Sequence, residues 1–200
     1  SIKEYDGQYI HLFNGDKVKY SKPGERNDTE RLNDPCIDDM FLYPYYKGEQ
    51  VDSMKKNDAG RIRHEELLMK MYGSSPQEVG KHLVAICWCP KLLNQKLYTT
   101  TVNNVHLQFQ RISDELDEHP ELIDFLQSGG IFNWKEISGS KRLSAHCFGI
   151  AIDIAVNHSR YWWWDQKEEC GQKCNIPQIV VDIFEKYGFI LMPVVDEQQH

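Results

Sequence analysis

Apolar positions recur at helical spacing through the middle and end of the chain. Leu67, Leu68, Met71 and Tyr72 stand three to four apart after Arg63 and predict a helix that Gly73 closes. Ser75-Pro76-Gln77-Glu78 is a capping box with Pro at the first helical position, predicting a second helix with Val79, Leu83 and Val84 on its apolar face. Val105, Phe109, Ile112 and Leu116 predict a core-facing helix over about 103–118, which His119-Pro120 breaks. A short helix with Leu122, Phe125 and Leu126 then runs to Gly129-Gly130. Asn175-Ile176-Pro177 opens a last helix with Ile179, Val180, Ile183 and Phe184, ended by Gly188.

Two segments depart from this period. Residues 1–60 are polar and rich in Gly, Pro, Asp and Tyr, which predicts a loop-rich N-terminal segment packed on the core, with residues 61–200 as the main domain. Its run Asp38-Asp39-Met40-Phe41-Leu42-Tyr43-Pro44-Tyr45-Tyr46 is too aromatic for a linker and should pack against the body. Gly149-Ile150-Ala151-Ile152-Asp153-Ile154-Ala155-Val156 instead alternates strictly. A strand there sends the β-branched residues to one face and Ala151, Asp153 and Ala155 to the other.

Asp153 is thus a carboxylate between two small residues, with room beside it for an ion or substrate. His146 lies seven positions upstream, and Gly149 lets the chain turn or approach closely. An imidazole and a carboxylate on one turn-strand unit can serve as zinc ligands, and catalytic zinc takes three protein ligands plus water. His200, with Glu197 three residues before it, can complete the set, Glu197 then being the general base. Spacing alone leaves the bland alternatives open: a loop-capping Asp153, an ordinary polar His146 and a solvated tail. His158 is a substitute ligand should His200 fail.

Composition narrows the setting. The 23 Lys and Arg against 30 Asp and Glu give a net charge of −7, with no long basic run, which disfavours a phosphate-tracking nucleic-acid surface. Forty per cent hydrophobic residues suffice for a core. No stretch approaches the roughly 18 consecutive apolar residues of a membrane span, and the start lacks a signal-peptide layout. The six Cys are too few for a disulfide scaffold. Cys87 and Cys89, and Cys170 and Cys174, are close pairs without Cys-x-x-Cys spacing, so they are small buried residues or, at 170–174, one local disulfide.

Arg142-Leu143-Ser144-Ala145-His146-Cys147-Phe148-Gly149-Ile150-Ala151-Ile152-Asp153-Ile154 resembles the Ser-x-His-x-x-Gly-x-Ala-x-Asp signature of the zinc D-Ala-D-Ala carboxypeptidases and L-alanyl-D-glutamate endopeptidases, peptidase family M15 with its VanX- and VanY-like enzymes. Every defined position matches. Looser similarity runs from Asp38-Asp39-Met40-Phe41 through Gly129-Gly130-Ile131-Phe132-Asn133-Trp134 to Glu185-Lys186-Tyr187-Gly188-Phe189-Ile190. The resemblance implies an α+β fold of the hedgehog/DD-peptidase kind, with a small antiparallel sheet flanked by helices. It implies Zn2+ held by His146, Asp153 and His200, with Glu197 as base. It also implies an Arg, here Arg142, that stabilises the oxyanion or captures a substrate carboxylate, and Ser144 as a hydrogen-bonding support rather than a nucleophile.

Family members often have Trp-Gly-Gly after Gly-Phe-Ile and continue past the final His into Phe-Glu, whereas this chain has Leu191-Met192-Pro193 and stops at His200, which suggests a truncated or reorganised C-terminus. Tyr161-Trp162-Trp163-Trp164 either walls a substrate groove or seals a core edge. The implied activity is hydrolysis of D-amino-acid-containing peptides of bacterial peptidoglycan, with the stem peptide or a D-Ala-ended peptide as partner. That places the enzyme in the periplasm or outside the cell, its presequence lying outside this chain. The alternatives are a catalytically inactive, zinc-stabilised peptidoglycan-binding module and an intracellular D-Ala-D-Ala dipeptidase.

Overall fold

The central helix obeys its period. In the computed structural model, which describes residues 1–48, 59–137, 140–155 and 176–192, Phe109, Ile112 and Leu116 are fully buried and Val105 nearly so. They lie on one face of a helix spanning Val105–Leu116 (α4). Helix Glu65–Tyr72 (α2) ends at Gly73 as its apolar spacing predicts. Pro120–Leu122 and Ile123–Leu126 (α5) form the short helical stretch before Gly129. The last helix, Gln178–Lys186 (α6), buries Val180, Val181, Ile183 and Phe184, while the expected Ile179 is exposed.

The capping box starts less helix than its pattern predicts. Ser75 does accept the Glu78 N–H, but the helix (α3) stops at Pro76–Gly80, and Leu83 and Val84 open a strand. Strand Leu83–Trp88 (β4) pairs antiparallel with Gln95–Thr100 (β5), from Leu83 opposite Thr100 to Trp88 opposite Gln95. The inward alternation of Ile86 and Trp88 on β4, and of Leu97 and Thr99 on β5, decides the conformation. One side of α4 packs on this hairpin and α6 packs beside it, so that Trp88, Phe109, Leu126, Val180 and Phe184 share the main core. The architecture is α+β.

The N-terminal region is more regular than a loop-rich segment. Strands Ile2–Tyr5 (β1), Tyr9–Leu12 (β2) and Lys17–Lys19 (β3) form an antiparallel meander, followed by helix Asp28–Asn33 (α1) with a complete Asn27/Glu30 capping box. The aromatic run packs on the body as expected. The Tyr45 hydroxyl donates to the buried Glu185 carboxylate (2.6 Å), as does the Gly48 N–H (3.0 Å). Burial and that carboxylate push the Tyr45 hydroxyl up to about 12. Cys36, Cys89 and Cys147 are buried thiols and Cys87 is an exposed one; Cys170 and Cys174 lie outside the described residues.

Candidate metal centre

His146 is positioned by a one-turn 3-10 helix, Ala145–Phe148. Ser144 caps it, its hydroxyl accepting the His146 N–H at 3.4 Å, which is the supporting role expected of that residue. The turn is anchored by fully buried Cys147 and Phe148, which pack with Leu68, Tyr72 and Val79. Only glycine suits the next position. Gly149 has φ +68°, its carbonyl accepts the Thr99 hydroxyl at 2.9 Å, and a Cβ there would stand 3.1 Å from the Thr100 nitrogen.

Beyond Gly149 the chain is extended but forms no full strand. Its ladder is a single antiparallel bridge between Asp153 and Gly130, which corrects the expected strand over 149–156. The alternation itself survives: Ile150, Ile152 and Ile154 lean on the main core while Asp153 is exposed. Ala155 is the exception on the open side, buried at φ +57°.

One short segment braces both candidate ligands. The Gly129 N–H donates to the Asp153 carbonyl (2.9 Å), and the Asp153 N–H to the Gly130 carbonyl (3.2 Å). The next carbonyl, of Ile131, lies 2.7 Å from His146 Nδ1. A carbonyl can only accept, so Nδ1 carries the proton and Nε2 presents a lone pair. That Nε2 faces Asp153 Oδ1 at 3.3 Å. The imidazole next to Asp153 holds its carboxyl below the usual carboxylate range, against the opposing effect of burial, and Lys135 adds a smaller pull.

Two acceptors that face each other need a cation between them, a proton or a metal. Tetrahedral zinc with one nitrogen and one oxygen ligand at about 2.0–2.2 Å separates them by roughly 3.3–3.5 Å, so the pair has the right spacing. A histidine ligand whose other nitrogen donates to a backbone carbonyl is the usual arrangement of a metal-binding imidazole. Residues His158, Glu197 and His200 lie outside the described residues, as do Tyr161-Trp162-Trp163-Trp164.

Arg142 takes a different direction. Its Nη2 donates to the Arg61 carbonyl at 2.8 Å, and the side chain lines a separate cavity beneath the turn. Residue spacing did not single out Lys135, although its backbone N–H and carbonyl bracket the Cys147 sulfur at 3.2 and 3.0 Å and its charge reaches Asp153. The Ile131 carbonyl was equally hidden, because a backbone acceptor has no side-chain signature. Its only trace was the Gly129-Gly130 pair beside it.

Residues 138–190 match the family model described as D-alanyl-D-alanine carboxypeptidase. The match takes in the whole signature and α6. No curated protein and no solved structure matches the chain. Together with the His146–Asp153 geometry, the family match supports a peptidase of family M15.

Proposed function

We propose that this protein is a zinc-dependent peptidase that hydrolyses D-amino-acid-containing peptides of bacterial peptidoglycan, of the D-Ala-D-Ala carboxypeptidase type, and that it acts in the periplasm or outside the cell. The observation that carries the reading is the lone pair of His146 Nε2 held against the Asp153 carboxylate by the Ile131 carbonyl. His146 and Asp153 would hold Zn2+, with His200 as third ligand by the family resemblance. Bound zinc supplies polarisation of the scissile carbonyl and acidification of water.

The remaining work belongs to the chain. Ile131 and Ser144 fix the imidazole and the turn. Glu197 takes the proton from the attacking water and delivers it to the leaving amine. Two cations are available for negative charge: Lys135 beside Asp153, suited to the developing oxyanion, and Arg142, whose place in the neighbouring cavity favours carboxylate capture.

Zinc content by mass spectrometry and turnover on D-Ala-D-Ala-ended and L-Ala-D-Glu peptides test the reading. About one zinc per chain with release of D-Ala is the expected result. Zinc binding without cleavage of either peptide would favour the binding module. Glu197→Gln should keep the zinc and abolish turnover; an unchanged kcat removes Glu197 as base.

A further inference from the structure

A cavity of about 380 Å³ opens beside the signature turn, between the N-terminal sheet and the start of α2. In a chain of net charge −7 its lining is cationic, with Lys19, Lys22, Arg63, Lys141 and Arg142. The carboxylates on the same wall have other tasks. Asp34 pairs with Lys22, Glu65 accepts the Leu143 N–H at 2.9 Å, and Glu66 lies 3.9 Å from Lys70. The guanidinium groups are held in place by backbone. Arg63 Nη1 donates to the Gly60 carbonyl and Arg142 Nη2 to that of Arg61, each at 2.8 Å. Guanidinium groups fixed in this way meet an anion with little further loss of side-chain freedom. His64, buried in the wall, gives its Nδ1 lone pair to the Leu67 N–H and adds no competing negative charge.

The cavity is joined to the candidate metal centre by very little chain. Arg142 lines it, the Leu143 N–H is tied to Glu65 in its wall, Ser144 caps the turn, and His146 follows four residues after Arg142. Four residues span at most about 14 Å. An extended peptide of about the same number of residues can therefore have its scissile bond at His146 and Asp153 and a side chain over the cavity.

We propose that this basic cavity is a subsite for an acidic side chain of the peptide substrate, a carboxylate about three residues before the cleaved bond. The proposal rests on the peptidase reading for the direction of the peptide, but its binding step can be measured by itself. Lys19 and Lys141 are exposed and lie outside the proposed catalytic groups, so both can be removed without emptying the core.

The test uses the zinc-loaded full chain and two fluorescein-labelled peptides ending in D-Ala-D-Ala, with the final amide reduced to CH2–NH so that it is not cleaved. They differ only by Glu or Gln three residues before that bond. Anisotropy titrations should give about tenfold tighter binding of the Glu peptide at low ionic strength, since charge-assisted contacts are screened by salt. The preference should shrink with added salt and in a Lys19→Ala/Lys141→Ala double variant, with affinity for the Gln peptide unchanged. Equal affinity for the two peptides, or a preference untouched by the double substitution, overturns the subsite. Hydrolysis of the ordinary peptide pair judges the other reading separately. A Glu preference without cleavage keeps the subsite and removes the peptidase, and cleavage without preference does the reverse.

Discussion

Two places in this protein bring metal-type donors together, and they have opposite electrostatics. At Cys36, Asp38 and Asp39 the candidate ligand atoms lie within 4.8 Å of one another. That cluster already contains a cation: the Arg26 guanidinium donates to the Asp39 carboxylate and lies 3.0 Å from the Cys36 sulfur, with Arg31 at 3.5 Å from Asp39. Asp39 also accepts the Cys36 N–H at 2.7 Å, and burial pushes the Cys36 thiol up, away from the thiolate a metal requires. His146 and Asp153 have fewer donors in the described residues, yet the Ile131 carbonyl turns the imidazole so that an acceptor faces an acceptor. Donor count is therefore a poor guide to a metal site. What matters is whether the fold has supplied the cation itself.

The sharpest way to break this comparison is to delete one donor from each cluster. His146→Ala should reduce bound zinc from about one per chain to near zero and take turnover to background. Asp39→Ala should leave zinc content unchanged while lowering Tm by several degrees, because it leaves the Cys36 N–H and the Arg26 guanidinium without their buried acceptor. Zinc lost from the Asp39 variant and kept by the His146 variant would reverse the assignment.

A smaller effect is expected at the turn that joins the site to the sheet. Gly149→Ala forces an L side chain into the left-handed region, at a cost of about 1–2 kcal/mol, and drives its Cβ toward the Thr100 backbone. Urea unfolding should show at least that loss, with the zinc site less well ordered. A variant as stable as the wild type would mean that the turn relaxes and that Gly149 serves flexibility rather than close approach.

The parts of the molecule that were legible beforehand are those whose signals come from side-chain type. The stripe of Val105, Phe109, Ile112 and Leu116 could only be a buried helix face, and His146, Gly149 and Asp153 stood out through their chemistry. The hairpin β4–β5 was not legible because Leu83 and Val84 continue the i, i+4 pattern of Val79, so a strand start imitates a helix. Tertiary packing of Ile86 and Trp88 overrode that local pattern. In the site, the hidden contributors are a carbonyl and two glycine amide groups, which any residue possesses. Lys135 was hidden because its charge acts through space on a carboxylate 18 positions later.

The finest test of the comparison uses pH in the metal-free protein. The imidazole holds the Asp153 carboxyl below the value of about 3.9 expected of an unfolded Asp. A group whose folded pKa is depressed binds fewer protons in the native state, so its contribution to stability is present above the unfolded value and is lost as pH falls through the folded one. In chelator, wild type should therefore be slightly more stable than Asp153→Asn near pH 5, and the gap should close as the solution is taken below about pH 4. The effect is small because Asp153 is 53% exposed, where solvent screens the pair. No such closing is expected with saturating zinc at pH 7, where the Asn variant should lose metal outright. If the apo proteins have the same stability at pH 5, the imidazole is not stabilising the carboxylate in solution, and the facing-acceptor geometry loses its electrostatic support.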